Sequence, residues 1–164
     1  MDSIDTFNKL NKSEFLSTFG NVFEKTEWIA EKCYNSKPFN NVQELVNKMM
    51  ETFENSIKEK HLEILNSHPD LAVKKKLTKE SENEQANANL NHCTNEEFEE
   101  FNKLNEKYKK KFGFPFIIAV KGKNKNEILN IFRQRITNNI NLEFEEAKKQ
   151  VKKIASFRLS EIIK

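Results

Sequence analysis

The chain has 164 residues, with 28 Lys or Arg against 25 Asp or Glu and a formal net charge of +3. Both signs are interspersed along it, which argues against a nucleic-acid binder, because such proteins concentrate basic residues on one face. Hydrophobic content is a lean 37%, but fourteen Phe supply the apolar surface for a core. A chain of this length needs neither disulfides nor metal to bury one.

The length predicts one domain over residues 1–164. Cys33 and Cys93 make no metal or redox motif and read as free thiols of a reducing compartment. The start, Met1-Asp2-Ser3-Ile4-Asp5, is acidic and lacks the apolar run of a signal peptide. The longest uncharged apolar run, Phe114 to Val120, is too short to span a bilayer. The last residues, Ser160 to Lys164, do not form an SKL-type peroxisomal tripeptide. The expectation is a cytoplasmic protein that binds neither membrane nor nucleic acid.

Only three Gly and three Pro punctuate the chain, too few for the turns of an all-β fold. Apolar residues recur at helical spacing, so the prediction is an all-α protein, a single compact multi-helix domain. A first helix is predicted over about 13–23, with Ser13 as N-cap, Phe15, Leu16, Phe19 and Phe23 inward, and Gly20 ending or kinking it. Thr26 then caps a short helix with Trp28, Ile29 and Cys33, broken at Lys37-Pro38. From Asn41 a stripe runs through Val42, Leu45, Val46, Met49, Met50, Phe53 and Ile57, and reads as core. His61 opens a further short helix as a surface or boundary histidine.

His68-Pro69-Asp70-Leu71-Ala72 is where chemistry is expected. Histidine is the side chain suited to moving protons near neutral pH. Pro69 holds His68 extended and suits the first turn of a helix, whose free N–H groups would favour an anion. Lys74-Lys75-Lys76 reads as a solvated loop, since no Gly-rich loop accompanies it. In the polar stretch from Thr78 to Leu90, Ser81, Glu84 and Gln85 stand at i, i+3 and i+4 and share one helix face. A histidine, a carboxylate, a hydroxyl and a carboxamide would converge if that face met His68. His92 sits in a predicted loop and reads as structural or exposed.

Thr94 and Glu97 make a capping box, followed by Phe98, Phe101, Leu104, Asn105, Tyr108 and Phe112, with Gly113 as the stop. Phe114 to Val120 reads as a buried strand or as an extended buried segment whose backbone groups need partners, which a polar ligand would supply. Asn124 or Asn126 caps a helix with Ile128, Leu129, Phe132, Ile136 and Ile140 on one side and Arg133 and Arg135 on its flanks. A last helix from about Asn141 carries Phe144, Ala147, Val151, Ile154, Ala155, Leu159 and Ile162.

Several segments together resemble the 2-oxo-4-hydroxy-4-carboxy-5-ureidoimidazoline (OHCU) decarboxylase family of urate degradation. They are Glu27 to Lys32, His68 to Ala72, Ser81 to Gln85, Phe101 to Asn105 with Tyr108, Lys111 to Gly122, Arg135 to Asn138, and the C-terminal helix with Ile154-Ala155 and Arg158-Leu159. The pattern departs at Val73, where the family often has a small residue, commonly Gly. The resemblance implies an all-helical homodimer with no metal and no organic cofactor. It implies His68 and Glu84 as catalytic residues. It implies that Pro69, Ser81 and Gln85 hold the substrate with the backbone of Phe116, Ile117, Ile118, Ala119 and Val120, with Arg135 a further candidate that would otherwise support the fold. A helical interaction module that keeps the fold without the chemistry is the alternative, and the loss of His68 or Glu84 would have marked it.

Overall fold

The computed structural model describes residues 3–73 and 77–164, without the Ser3 side chain. The lysine run 74–76 therefore lies outside the described residues. The helices in chain order are α1 (Ser3–Lys9), α2 (Lys12–Phe19), α3 (Glu27–Tyr34), α4 (Val42–Glu54), α5 (Lys58–Asn66), α6 (Lys79–Asn87), α7 (Asn95–Phe112), α8 (Lys125–Arg135) and α9 (Ile140–Ile163). No strand occurs among the described residues, so the protein is all-α.

The chain divides into two compact units, Met1–Ser67 with Lys152–Lys164, and His68–Val151. In the first, Phe15, Phe19, Phe23, Phe53, Leu45 and Met49 are almost fully buried, with Phe23 stacked on Phe53 at 5.2 Å. A deeply buried ion pair in it joins Arg158 Nη2 to Glu24 Oε2 at 2.8 Å, and Arg158 Nη1 also donates to the Asn21 carbonyl at 2.7 Å. Cys33 is buried there and its thiol is pushed up to about 12 by desolvation, which keeps it inert.

Several local expectations are corrected. Asn11, not Ser13, caps α2, because its side chain accepts from the Glu14 amide while Glu14 reaches back to the Asn11 amide. Gly20 ends α2, so Phe23 reaches the core from a turn. Thr26 precedes α3 without a side-chain cap, since its hydroxyl donates to the Glu24 carbonyl. Ile57 lies beyond α4 and is 64% exposed. His61 is buried, with Nε2 2.7 Å from the Phe53 carbonyl and its ring against that of Phe53. Helix α1, whose Ile4 is buried, has no counterpart in the sequence reading because seven residues carry too little periodicity.

The second unit is built on aromatic packing around Tyr108 of α7. Its ring meets Phe112, Phe116 and Phe132, and Phe116 stacks on Phe132 at 3.8 Å with the planes 7° apart. Helix α7 starts at the expected Thr94–Glu97 box and stops at Gly113 in the left-handed conformation, φ 82°. Asn124 caps α8. Ile140 opens α9 instead of extending α8 and is 53% exposed.

A Cβ at Gly113 would meet nothing within 4 Å, so only the backbone conformation demands glycine there. Gly113→Ala should therefore destabilise the protein by about 1–2 kcal/mol, the cost of an L-residue in that region. Gly113→Asn should cost less, because asparagine tolerates it. Urea unfolding of the three proteins measures both.

Candidate active site

His68 does not begin a helix. Helix α5 ends at Asn66 with Ser67 as its cap, and residues 68–73 are a loop with a turn at Leu71-Ala72. The expected helix N-terminus after Pro69 is therefore absent, and any anion must be met by side chains or by other backbone. His68 is buried at 9% exposure, while Pro69 and Asp70 are half-buried. Ala72 has φ 54°, in the region that costs an L-residue energy.

Helix α6 presents the expected face. Thr78 caps it by accepting from the Ser81 amide at 3.3 Å. Ser81 and Gln85 are buried and Glu84 is half-buried, whereas Glu82 and Asn83 are exposed. Gln85 fastens this face to the histidine loop. Its Oε1 accepts from the Ala72 amide at 3.0 Å and its Nε2 donates to the Asp70 carbonyl at 3.2 Å. Both polar atoms of Gln85 are thus engaged by the loop. Ser81 and Glu84 lie on the same helix face as Gln85.

The segment from Phe114 to Val120 is buried and irregular, and it pairs with no strand among the described residues. Side chains meet part of its backbone. Gln150 Oε1 accepts from the Ala119 amide at 2.9 Å, and Arg135 Nη1 donates to the Ile117 carbonyl at 2.7 Å. The amides of Ile118 and Val120 have no hydrogen-bond partner among the described residues. These are the backbone groups a ligand with polar edges would need.

Arg135 is buried, not on a flank, and it packs over the Phe116 ring at 4.4 Å. Its Nε donates to Glu143 Oε1 at 2.9 Å. Glu143 has no exposed surface and also accepts from the Tyr108 hydroxyl at 2.5 Å and from Asn138 Nδ2 at 3.0 Å. Arg135 Nη2 is buried and has no partner among the described residues. Its Nη2 is thus a buried charged donor with capacity for one more acceptor.

No hydrogen bond joins the histidine loop directly to 116–120 among those the structure records, but α7 touches both. Asn105 Nδ2 donates to the Leu71 carbonyl at 3.0 Å, and Tyr108, one turn further, packs edge-on against Phe116 at 5.4 Å. Lys109 Nζ adds an ion pair to Asp70 Oδ2 at 2.7 Å. Sequence reasoning missed Asn105, Tyr108, Asn138, Glu143 and Gln150 as members of this assembly. The available signal was a polar residue in an apolar stripe, as with Glu143 and Gln150 beside Ala147 on α9. Among the described residues no group of His, Cys, Asp and Glu is arranged to hold a metal ion.

The protein is thus all-helical, with a buried histidine on a loop that Gln85 of α6 clamps through two hydrogen bonds. The chain belongs to the OHCU decarboxylase family, whose sequence pattern matches residues 8–160. It is 37% identical over 159 residues to the 2-oxo-4-hydroxy-4-carboxy-5-ureidoimidazoline decarboxylase of Haloferax volcanii, covering 97% of this chain and 95% of that protein. It is 36% identical to the Xenopus laevis protein of the same name, covering 97% and 93%. It is 41% identical to a uric acid degradation bifunctional protein of a Bacillus species, where the match covers all of this chain but only 33% of the relative. Among solved structures, an (S)-allantoin synthase superposes with a TM-score of 0.79 at 28% identity, covering the whole chain and 54% of that protein.

The buried cluster gives two expectations. Removing the Glu143 carboxylate as Glu143→Ala leaves Arg135 buried without a counter-charge and should cost about 3–5 kcal/mol in urea unfolding. Burial, and then the bond to Glu143, raise the Tyr108 phenol well above its ordinary 10.0. In the unfolded chain Tyr108 ionises near its ordinary value, so this contribution is complete below pH 10 and is lost as pH rises above it. Tyr108→Phe should therefore flatten the alkaline fall in stability, measured by unfolding from pH 9 upward.

Proposed function

We propose that this protein decarboxylates OHCU to (S)-allantoin and CO2, the third step in converting urate to allantoin, without metal or organic cofactor. The observation that carries the reading is the docking of the buried His68 loop onto the Ser81/Glu84/Gln85 face through the two hydrogen bonds of Gln85. Family membership over residues 8–160 supplies the substrate.

The substrate has a ring carbon bearing a carboxylate and a hydroxyl, next to an imine carbon. When the carbon–carboxylate bond breaks, its electron pair forms a double bond to the former imine carbon. The imine π pair moves to nitrogen, which takes a proton. The hydroxyl then loses its proton to become a carbonyl, and the neighbouring carbon gains one. The ring's own imine is the electron sink, so the protein must orient the carboxylate and deliver a proton to one face. His68 transfers that proton. Glu84 orients His68 or the substrate hydroxyl, and Ser81 binds a substrate oxygen. Pro69 stiffens the loop. Gln85 acts chiefly through the loop, since both its polar atoms are bonded there.

The backbone of residues 116–120 reads the polar edges of the ring, supported by the unpartnered amides of Ile118 and Val120. Arg135 offers Nη2 to the carboxylate while Nε and Nη1 are held by Glu143 and Ile117. The working form is a homodimer, and sedimentation of the purified protein tests this.

The activity test is circular dichroism of freshly generated OHCU. Wild-type protein should produce optically active allantoin rapidly. His68→Asn should lower kcat by about 10²–10⁴-fold, the range expected for a lost general acid or base. Slow drift to racemic product with folded wild-type protein would sink the reading and leave a helical interaction module. Near-wild-type turnover by His68→Asn would sink the role of His68.

A further inference from the structure

We propose that Asn105 is a positioning residue for His68, acting through the Leu71 carbonyl; this rests on the role given to His68 above. The loop 68–73 has no regular secondary structure, so side chains must hold its backbone. Gln85 takes the Asp70 carbonyl and the Ala72 amide. Asn105 takes the Leu71 carbonyl between them. Three successive residues, two to four positions from the histidine, are thus fixed from two helices.

The fixing opposes a conformational preference. Ala72 sits at φ 54°, where an L-residue is disfavoured, and a chain released there relaxes to negative φ. Such a change re-aims the backbone leading to His68. Among the described residues Gln85 and Asn105 hold the Leu71-Ala72 turn directly, and only Asn105 does so from α7.

Stability does not account for an asparagine here. Asn105 is 3% exposed, and its Oδ1 is buried without a partner among the described residues. One neutral hydrogen bond returns less free energy than an orphaned buried acceptor costs. The net contribution of the carboxamide is geometric. Its place on α7 fits that role, because Tyr108 on the same face packs against Phe116 and leads to the Glu143–Arg135 cluster. One rigid helix face sets both the histidine loop and the segment 116–120.

The test uses full-length Asn105→Leu and Asn105→Ala. Three things are measured: thermal melting, the His68 ring resonances in 1H–15N spectra (identified by their absence in His68→Asn), and kcat with KM. Both variants should fold. The His68 signals should shift and broaden, and kcat should fall at least tenfold while KM stays within threefold. His68 signals at their wild-type positions with kcat within twofold would overturn the proposal. A raised KM with unchanged kcat would overturn it too, making Asn105 a ligand contact. Failure of both variants to fold would make it a stability residue, which also overturns it. If wild-type protein proves inactive, the decarboxylase reading alone fails, and the His68 resonances still decide the role of Asn105.

Discussion

A carboxylate without solvent contact organises the second unit. Glu143 gathers a phenol from α7, a guanidinium from the end of α8 and a carboxamide from the α8–α9 connection. An ionised group buried this deeply is tolerated only when it is paired and hydrogen-bonded. The three donors therefore have one arrangement that works, and the helices that carry them are fixed with them. Arg135 inherits its direction from that arrangement. Its remaining bonds, to the Ile117 carbonyl and over the Phe116 ring, tie the irregular segment to the same centre.

The irregular segment and the histidine loop pose the same physical problem. Each carries buried backbone amides and carbonyls with neither helix nor sheet to satisfy them. Side chains from neighbouring helices meet part of this need: Gln85 and Asn105 for the loop, Gln150 and Arg135 for the segment. Long polar side chains reach across where a strand partner would otherwise lie. That is how an all-helical fold keeps two stretches of irregular chain in its interior.

Much of this was legible in the residues. The Phe stripes marked the core, and the Thr94–Glu97 box and Gly113 marked both ends of α7. The shared face of Ser81, Glu84 and Gln85 followed from helical spacing, and its docking against the His68 loop was anticipated as a packing hypothesis. Other features were hidden. Pro69 after His68 suggested a helix start, but a proline equally suits an extended loop, and the loop won. Asn105 read as one more member of its helix pattern and Glu143 did not stand out at all, because local periodicity says where a side chain points and not what it meets. Arg135 and Gln85 changed meaning for the same reason. Their bonds are to backbone 18 and 13–15 residues away, a distance no local pattern spans.

The unpaired amides of Ile118 and Val120 have a consequence for how such a site tolerates change. An amide belongs to every residue type except proline, so under the proposed function this part of recognition is written in chain path and not in side-chain identity. Apolar exchanges of similar volume along the run should leave the ligand's hydrogen bonds in place. Selectivity resting on these amides is correspondingly hard to redirect by swapping side chains there. It shifts when the path itself moves, through the helices whose polar side chains hold it.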